Sequence, residues 1–337
     1  MHKVVFLTER SPRHQEAARA AAPAAVEVVM LRQPDRQTLL AELADAEFLI
    51  SERAGVIDAE LIAAGPRLRL IQRLGSLAYD IDLDAARRAG VPVAIWPVIG
   101  SIMVAEHMIM QMLALVKRLP EVSAIAQAAG DWGRPSLRTD ENIFAYNWSG
   151  RSGIGGLYGQ TVGILGFGEI GVELARRLRP FAPAQVLYHK RRRLPDDVEA
   201  ALGVVYAQPE ALIAACDLLC VLLPYSPATD RSLNAATFAA MKPGTFLVHC
   251  GSGSVIDEAA LAEALRRGHL AGAALDTFEW EPLRPDNPLL ALARDPAANV
   301  LLTPHTAAAT LPGGREGDWT NVRRVLAGEE PLNRVDK

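Results

Sequence analysis

Cysteine is scarce in this chain: 337 residues hold three, Cys216, Cys220 and Cys250. Two fall in one strand-like run, "CDLLCVLLP", and the third follows another. Their spacing fits no metal site, and no disulfide framework is implied. They read as packing or loop residues in a reducing cytoplasm. An excess of charge is also missing. The net charge of −4 argues against a general nucleic-acid binder, which would be basic. No stretch is expected to span a membrane. The most apolar one, "SIMVAEHMIMQMLALV", contains Glu106, His107 and Gln111 and reads as a buried helix. The opening "MHKVVFLTER" is too short for a signal peptide and reads as a first strand. Internal repeats are absent, as are low-complexity tracts beyond alanine-rich helices.

What is present is apolar residues, at 50%, and enough length for two domains. Before residue 100, "KVVFL", "VEVVM", "EFLIS", "LRLIQ" and "VPVAIW" are candidate strands. From 161 onward "TVGILG", "QVLYH", "DLLCVLL", "TFLVHC", "LAGAAL" and "NVLLTP" follow. Helical runs separate them. Continuous apolar strands between helices indicate parallel sheets covered on both faces, so two series imply two α/β domains. A long apolar helix near 102–119 lies between them. The aromatic and Gly-rich segment at 130–156 follows it and is too long for a simple connector. It reads as an arm packing on a second subunit, or as a lid.

The strongest motif is "TVGILGFGEIGVELARRL". A strand runs into Gly166-x-Gly168-x-x-Gly171 and then a helix, with Glu169 and Ile170 inside the turn. Gly166 permits the tight turn, Gly168 lets the backbone approach a pyrophosphate, and Gly171 lets helix and strand pack closely. The helix start offers amides and a positive dipole end to phosphates. An acid is missing where the next strand ends, in "VLYHKRRRLP". NAD sites usually place one there to hold the ribose hydroxyls. His189, Lys190, Arg191, Arg192 and Arg193 stand there instead and would welcome a 2′-phosphate. NADP(H) is therefore expected over NAD(H); otherwise the stretch is a solvated basic loop.

These motifs, with "GSLAYDIDLDAARRAGVPV", "VAEHMIMQMLALVKRLP", "CDLLCVLLPYSPATDRSLN", "MKPGTFLVHCGSGSVIDEAALAEALRRGHLAGAALDTFEWEP" and "NVLLTPH", run nearly the whole length of the chain. Together they resemble the D-isomer-specific 2-hydroxyacid dehydrogenase family. The resemblance implies two Rossmann-like or flavodoxin-like doubly wound parallel-sheet domains with the active site in the cleft between them. Residues 1–101 and 307–337 would form the substrate domain, and 102–306 the dinucleotide-binding domain. It also implies a homodimer joined through the nucleotide domain, a small-molecule substrate and hydride transfer. No metal is implied. His305 in "LLTPHTAAAT" matches the family's acid/base histidine, a role suited to an imidazole. Glu281 matches the carboxylate that orients it. Asp276, Pro224, Cys250, Gly251 and Val104 match positions around the cofactor, with Ser101 beside Val104 in a hinge segment. Backbone amides of Ser76, Leu77 and Ala78 match the cradle for a substrate carboxylate.

One family feature is lacking. The family carries an arginine in an "N-x-x-R-G" loop after a strand. Here "VHCGSGSVIDE" puts His249 at the asparagine and Ser252 at the arginine. A guanidinium fork holds a 2-oxo acid and polarises its carbonyl. Serine offers one short neutral hydroxyl, and losing such a donor costs on the order of 10²–10³ in rate. Three explanations remain open. Another arginine, Arg53 or Arg73, could serve. The substrate could be something other than a simple 2-oxo acid, or a tightly held dinucleotide could support lyase-, hydrolase- or isomerase-like chemistry. Or the chain could bind a nucleotide without turnover.

Overall fold

The computed structural model describes residues 1–52, 55–130, 132–308 and 314–337. The chain divides into two compact units, one of residues 1–99 with 310–337 and one of residues 100–309.

The first unit opens with β1 (His2–Thr8), α1 (Pro12–Ala20), β2 (Val26–Arg32), α2 (Arg36–Leu43), β3 (Phe48–Glu52), α3 (Ala59–Ala64), β4 (Leu70–Leu74), α4 (Leu83–Ala89) and β5 (Val93–Trp96). Asp35, Asp58 and Asp82 start α2, α3 and α4 by accepting amide protons of their first turns, as short acidic side chains do at helix starts. The sheet order is β2-β1-β3-β4-β5, all parallel, which is the flavodoxin-like order. Successive strand residues point to opposite faces. Val4, Phe6, Phe48, Ile50 and Leu70 therefore build one core layer, and Val5, Leu7, Leu49 and Ile71 the other.

The second unit contains α5 (Ile99–Val116, starting at the boundary), α6 (Leu119–Ala128), β6 (Thr161–Leu165), α7 (Glu169–Leu178), β7 (Gln185–His189), α8 (Asp196–Leu202), β8 (Val205–Tyr206), α9 (Pro209–Ala215), β9 (Leu218–Val221), α10 (Ala235–Ala240), β10 (Thr245–His249), α11 (Glu258–Arg266), β11 (Leu270–Leu275), α12 (Leu290–Ala293) and β12 (Val300–Leu302). Its order is β12-β11-β10-β9-β6-β7-β8, again parallel. Every run read as a strand forms one. The additional strand, β8, is too short to show a period. Chain order reverses at β6, flanked by β7 and β9, and such a switch point is where open α/β sheets bind ligands.

The chain then returns to the first unit, where α13 (Thr320–Leu326) and the turn before it cover the free sheet face. Trp319 is fully buried there. It packs against Phe6 and donates its indole N–H to the Ala18 carbonyl at 3.0 Å.

The helix α5 departs from the expectation that no stretch could span a membrane. By length and composition α5 could cross a membrane: it has 18 residues and a mean hydropathy of 1.6. Half of it is buried in the fold, with Met108, Met112 and Leu115 at zero exposure. Met112 meets Cys220 of β9 sulfur to sulfur at 3.8 Å, so the apolar stripe is spent on the sheet. After α6, residues 132–156 form no helix or strand. Trp132 and Trp148 meet edge to face, 5.0 Å between centroids. Arg151 pairs with Glu121 of α6, and Gly155 donates its amide to the Val116 carbonyl.

Candidate active site

The glycine turn sits at the end of β6. Gly166 has φ +95°, and a Cβ there would lie 2.6 Å from the Leu222 carbonyl carbon. That backbone cannot yield, so only glycine fits. A Cβ on Gly171 would press on the Phe167 ring at 3.0 Å, so α7 packs closely on the turn that leads into it. Gly168 differs: a Cβ there would meet nothing within 4 Å. The chain's own packing does not need that glycine, and its absent side chain leaves the backbone open to a group such as a phosphate. Gly168 also begins α7 without a side-chain cap, and an uncapped helix start is the kind of place that accepts an anion; Glu169 and Ile170 stand in that first turn. These features fit a dinucleotide pyrophosphate.

The basic stretch after β7 divides. Arg193 folds back, with Nε and Nη2 on the Glu199 carboxylate at 2.8 and 2.7 Å and a further bond to Asp196. The same Glu199 accepts from the buried Tyr188 hydroxyl at 2.6 Å. Arg193 therefore holds its own loop closed. Arg191 and Arg192 are exposed. His189 is held by its Nδ1–H, which donates to the Ala207 carbonyl at 3.0 Å.

His305 lies in the turn after β12 with φ +51°. Its Nδ1 meets Glu281 Oε2 at 2.7 Å, while Glu281 Oε1 accepts the Phe278 amide at 3.0 Å. A carboxylate acceptor keeps the ring proton on Nδ1 and leaves Nε2 to exchange a proton with a substrate oxygen. The imidazole is 58% exposed, so it is reachable. A hollow of about 760 Å³ adjoins the pair, lined among others by Phe278, Leu283, Leu290, Val300 and Leu302.

Asp276, at the end of β11, is 1% exposed. Its carboxylate accepts from Thr303 Oγ1 at 2.6 Å, from the Thr306 amide at 3.0 Å and from the Ala307 amide at 2.8 Å. These donors bracket His305 on both sides, so Asp276 pins the turn that presents the imidazole. His107 of α5 stands behind it, with Nε2 3.1 Å from Thr303 Oγ1. His107 and Thr303 were not expected as site residues. The available signal was a polar side chain on the apolar face of a core helix.

Ser252 does not point into open space. Its Oγ accepts the Tyr225 amide proton at 2.9 Å, and its own amide donates to the Leu223 carbonyl at 3.0 Å. The loop after β10 is thereby tied to the Pro224 loop after β9. Cys250 offers its S–H to Gln111 Oε1 of α5 at 3.4 Å, and burial pushes its thiol well above the usual range. Val104 and Ser101 are buried on α5. His249, in place of the expected asparagine, is fully buried, and among the described residues neither ring nitrogen has a hydrogen-bond partner within 3.5 Å of good geometry. Desolvation pushes its pKa down to about 4.

The remaining expected residues lie on the first unit. Ser76 is buried and Leu77 and Ala78 half-buried in the loop after β4. Arg73, on β4, is buried and committed. Its guanidinium meets Asp80 at 2.6 Å, Ser51 Oγ at 2.7 Å and the Gly55 carbonyl at 3.2 Å. Arg53 lies outside the described residues.

Comparison with known proteins gives the family. Residues 109–307 match the model of the D-isomer specific 2-hydroxyacid dehydrogenase NAD binding domain, a span inside the second unit. The glyoxylate reductase of Aeropyrum pernix is 34% identical over 300 residues, covering 89% of this chain and 82% of that protein. The D-3-phosphoglycerate dehydrogenase of Mycobacterium tuberculosis is 35% identical over 307 residues, covering 90% of this chain. The chain spans 54% of the length of that relative. Among solved structures, the NADPH-dependent glyoxylate/hydroxypyruvate reductase of Sinorhizobium meliloti with NADP and malonate superposes with TM-score 0.52 at 29% identity, covering 99% of this chain and 96% of that one. The D-lactate dehydrogenase of Aquifex aeolicus with NAD and lactic acid gives TM-score 0.54 at 26% identity, covering 96% and 95%. This chain belongs to the D-isomer-specific 2-hydroxyacid dehydrogenase family.

The buried His249 generates a pH prediction. Its folded pKa lies below the unfolded value of about 6.5, so between about pH 6.5 and pH 4 the unfolded chain binds the extra proton. Stability is complete above that window and falls as pH drops through it. At pH 5 the loss from this one group is about 2 kcal/mol. Denaturant unfolding at pH 7.5 and 5.0 should show a smaller loss in His249→Asn than in the unaltered protein. Equal losses in both would remove His249 as the cause.

Proposed function

We propose that this chain is an NADP(H)-dependent oxidoreductase in which His305 is the acid/base group, and that its substrate is not a simple 2-oxo acid. The observation that carries the reading is the His305–Glu281 pair, set on the same sheet as the glycine turn. When bound, the dinucleotide supplies or accepts the hydride. His305 Nε2 gives a proton to the substrate oxygen as a carbonyl is reduced, or takes it as an alcohol is oxidised. Glu281 holds the ring, and Asp276 holds the turn that carries it. The second unit is the nucleotide-binding one, and the first, with the amides of Ser76, Leu77 and Ala78, is the substrate-binding one.

The fit of Gly168 and the α7 start supports dinucleotide binding. The absence of an acid at 189–193, with Arg191 and Arg192 exposed, supports the 2′-phosphate. Arg191→Ala with Arg192→Ala should raise the KM for NADPH roughly tenfold or more, at about 1.5–3 kcal/mol for hydrogen bonds to a charged group, and leave the KM for NADH nearly unchanged. A native preference for NADH would sink the assignment.

The substrate follows from position 252. Ser252 Oγ is occupied as an acceptor by the Tyr225 amide, which leaves its own proton to donate. One neutral donor suits a carbonyl or hydroxyl oxygen better than a carboxylate, which an arginine fork would take. The Arg73 pairing with Asp80 weighs against that residue as a substitute fork. Ser252→Arg should raise kcat/KM on glyoxylate and hydroxypyruvate at least about tenfold, measured at the reduced-nicotinamide absorbance band. High native activity on these acids that the substitution abolishes would place the fork elsewhere and overturn the reading. Stoichiometric dinucleotide retained through purification, without net turnover, would favour lyase-, hydrolase- or isomerase-like chemistry. Binding with no turnover, unchanged by His305→Ala, would favour a nucleotide-responsive binding protein.

The reading includes a homodimer through the nucleotide unit. A groove of about 650 Å³ on the outer face of α5 is lined among others by Ile109, Met110, Leu113 and Leu119. Met110 and Leu119 are 45% and 52% exposed, and exposed apolar side chains grouped in one groove support an interface there. Met110→Asp with Leu119→Asp should shift the sedimentation coefficient from dimer to monomer. A protein that is already monomeric at micromolar concentration excludes the dimer.

A further inference from the structure

We infer that His107 is a positioning residue for the reaction, acting on His305 through Thr303 and Asp276. The inference rests on the reading of His305 as the acid/base group. Thr303 Oγ1 has one proton and two acceptors within reach, an Asp276 carboxylate oxygen at 2.6 Å and the Leu275 carbonyl at 3.4 Å. Both only accept, and the shorter, charge-assisted contact directs the proton to Asp276. Thr303 Oγ1 must then accept from His107, 3.1 Å away. The ring proton of His107 is therefore on Nε2, which also lies 3.6 Å from Asp276 Oδ1. The order of donation runs from His107 to Thr303 to Asp276, and Asp276 also receives the amides of Thr306 and Ala307.

This chain of bonds starts on a rigid helix and ends on both sides of His305. Val104, His107 and Gln111 fall at helical spacing along one stripe of α5. Gln111 accepts from Cys250 in the loop after β10, and His107 reaches the turn after β12. One helical stripe thus braces two of the site's loops. His305 needs the brace because its own backbone is left-handed, with φ +51°. A residue other than glycine is uncommon in that region, though histidine tolerates it better than most, and its surroundings hold it there. Without His107, Thr303 Oγ1 loses its donor and its proton can turn from Asp276 to the Leu275 carbonyl, so that Asp276 loses one of its three donors from the turn. His107 itself need touch neither substrate nor cofactor.

The test uses the full chain and the variants His107→Leu, His107→Gln and Thr303→Val. Glutamine can place an amide donor near the position of Nε2; leucine cannot. With the best substrate from the panel above, His107→Leu should lower kcat roughly 10- to 100-fold, as misplacement by about 1 Å does, while dinucleotide affinity by fluorescence stays near the native value. His107→Gln should recover most of kcat. The second readout is proton NMR of the hydrogen-bonded imidazole N–H of His305, assigned by its absence in His305→Gln. That resonance should broaden or vanish in His107→Leu and in Thr303→Val, and persist in His107→Gln. Native kcat and an unchanged resonance in His107→Leu overturn the inference, as does equal loss in the Leu and Gln variants. If His107→Leu does not fold, Thr303→Val decides by the same resonance. If the unaltered protein turns over nothing in the panel, the proposed function fails, while the resonance still decides the role of His107.

Discussion

A single buried carboxylate governs the geometry of the candidate site. Asp276 is 1% exposed at the end of β11, where an ion without partners would be expensive. It is satisfied by three donors, all from the turn after β12. The cost of burying the charge and the cost of bending the chain at His305 are met by the same bonds. Releasing either would release the other. The Glu281 bond then only has to set the imidazole's rotation, because its backbone is already placed.

A second constraint is backbone packed on backbone at the strand ends. The loop 250–253 lies so close to its neighbours that a Cβ on Gly251 would sit 2.7 Å from the Leu223 carbonyl oxygen, and one on Gly253 1.8 Å from the Phe278 carbonyl oxygen. Between these glycines only residue 252 can carry a side chain. In this chain that side chain is a serine turned toward Tyr225. The blandness of "CGSGS" has a geometric meaning. Two positions are silenced by contact, and the third is engaged in holding the next loop.

The fold was largely legible in the sequence. Continuous apolar strands alternating with helical runs announce parallel sheets, and the buried strands of both units carry that pattern through. The strand β8 escaped because two residues show no period. The glycine turn was legible from its spacing between a strand and a helix, and Gly166 and Gly168 are opposite cases: one is required by the protein's own backbone, the other leaves the backbone open to approach. His305 and Glu281 were legible through order and motif. His107 and Thr303 were not, because they lie 196 positions apart in the chain and neither residue type signals a role alone. The basic stretch was legible only as a group. Which of its arginines is occupied by Glu199, and which are exposed, depends on how the loop folds back.

The sequence by itself determined the sheets, the glycine turn and the family, because these follow from local periodicity and from steric rules acting over a few residues. It also put a serine, Ser252, where the resemblance expects an arginine. Only the tertiary structure decided what that serine does: its hydroxyl caps a neighbouring amide. It also decided that Arg73 is committed to Asp80, and that a helix histidine donates into the turn of His305. Those outcomes depend on where strands distant in the chain end relative to one another. A hydrogen bond is made or lost within a few tenths of an ångström, a precision that no spacing along the chain specifies.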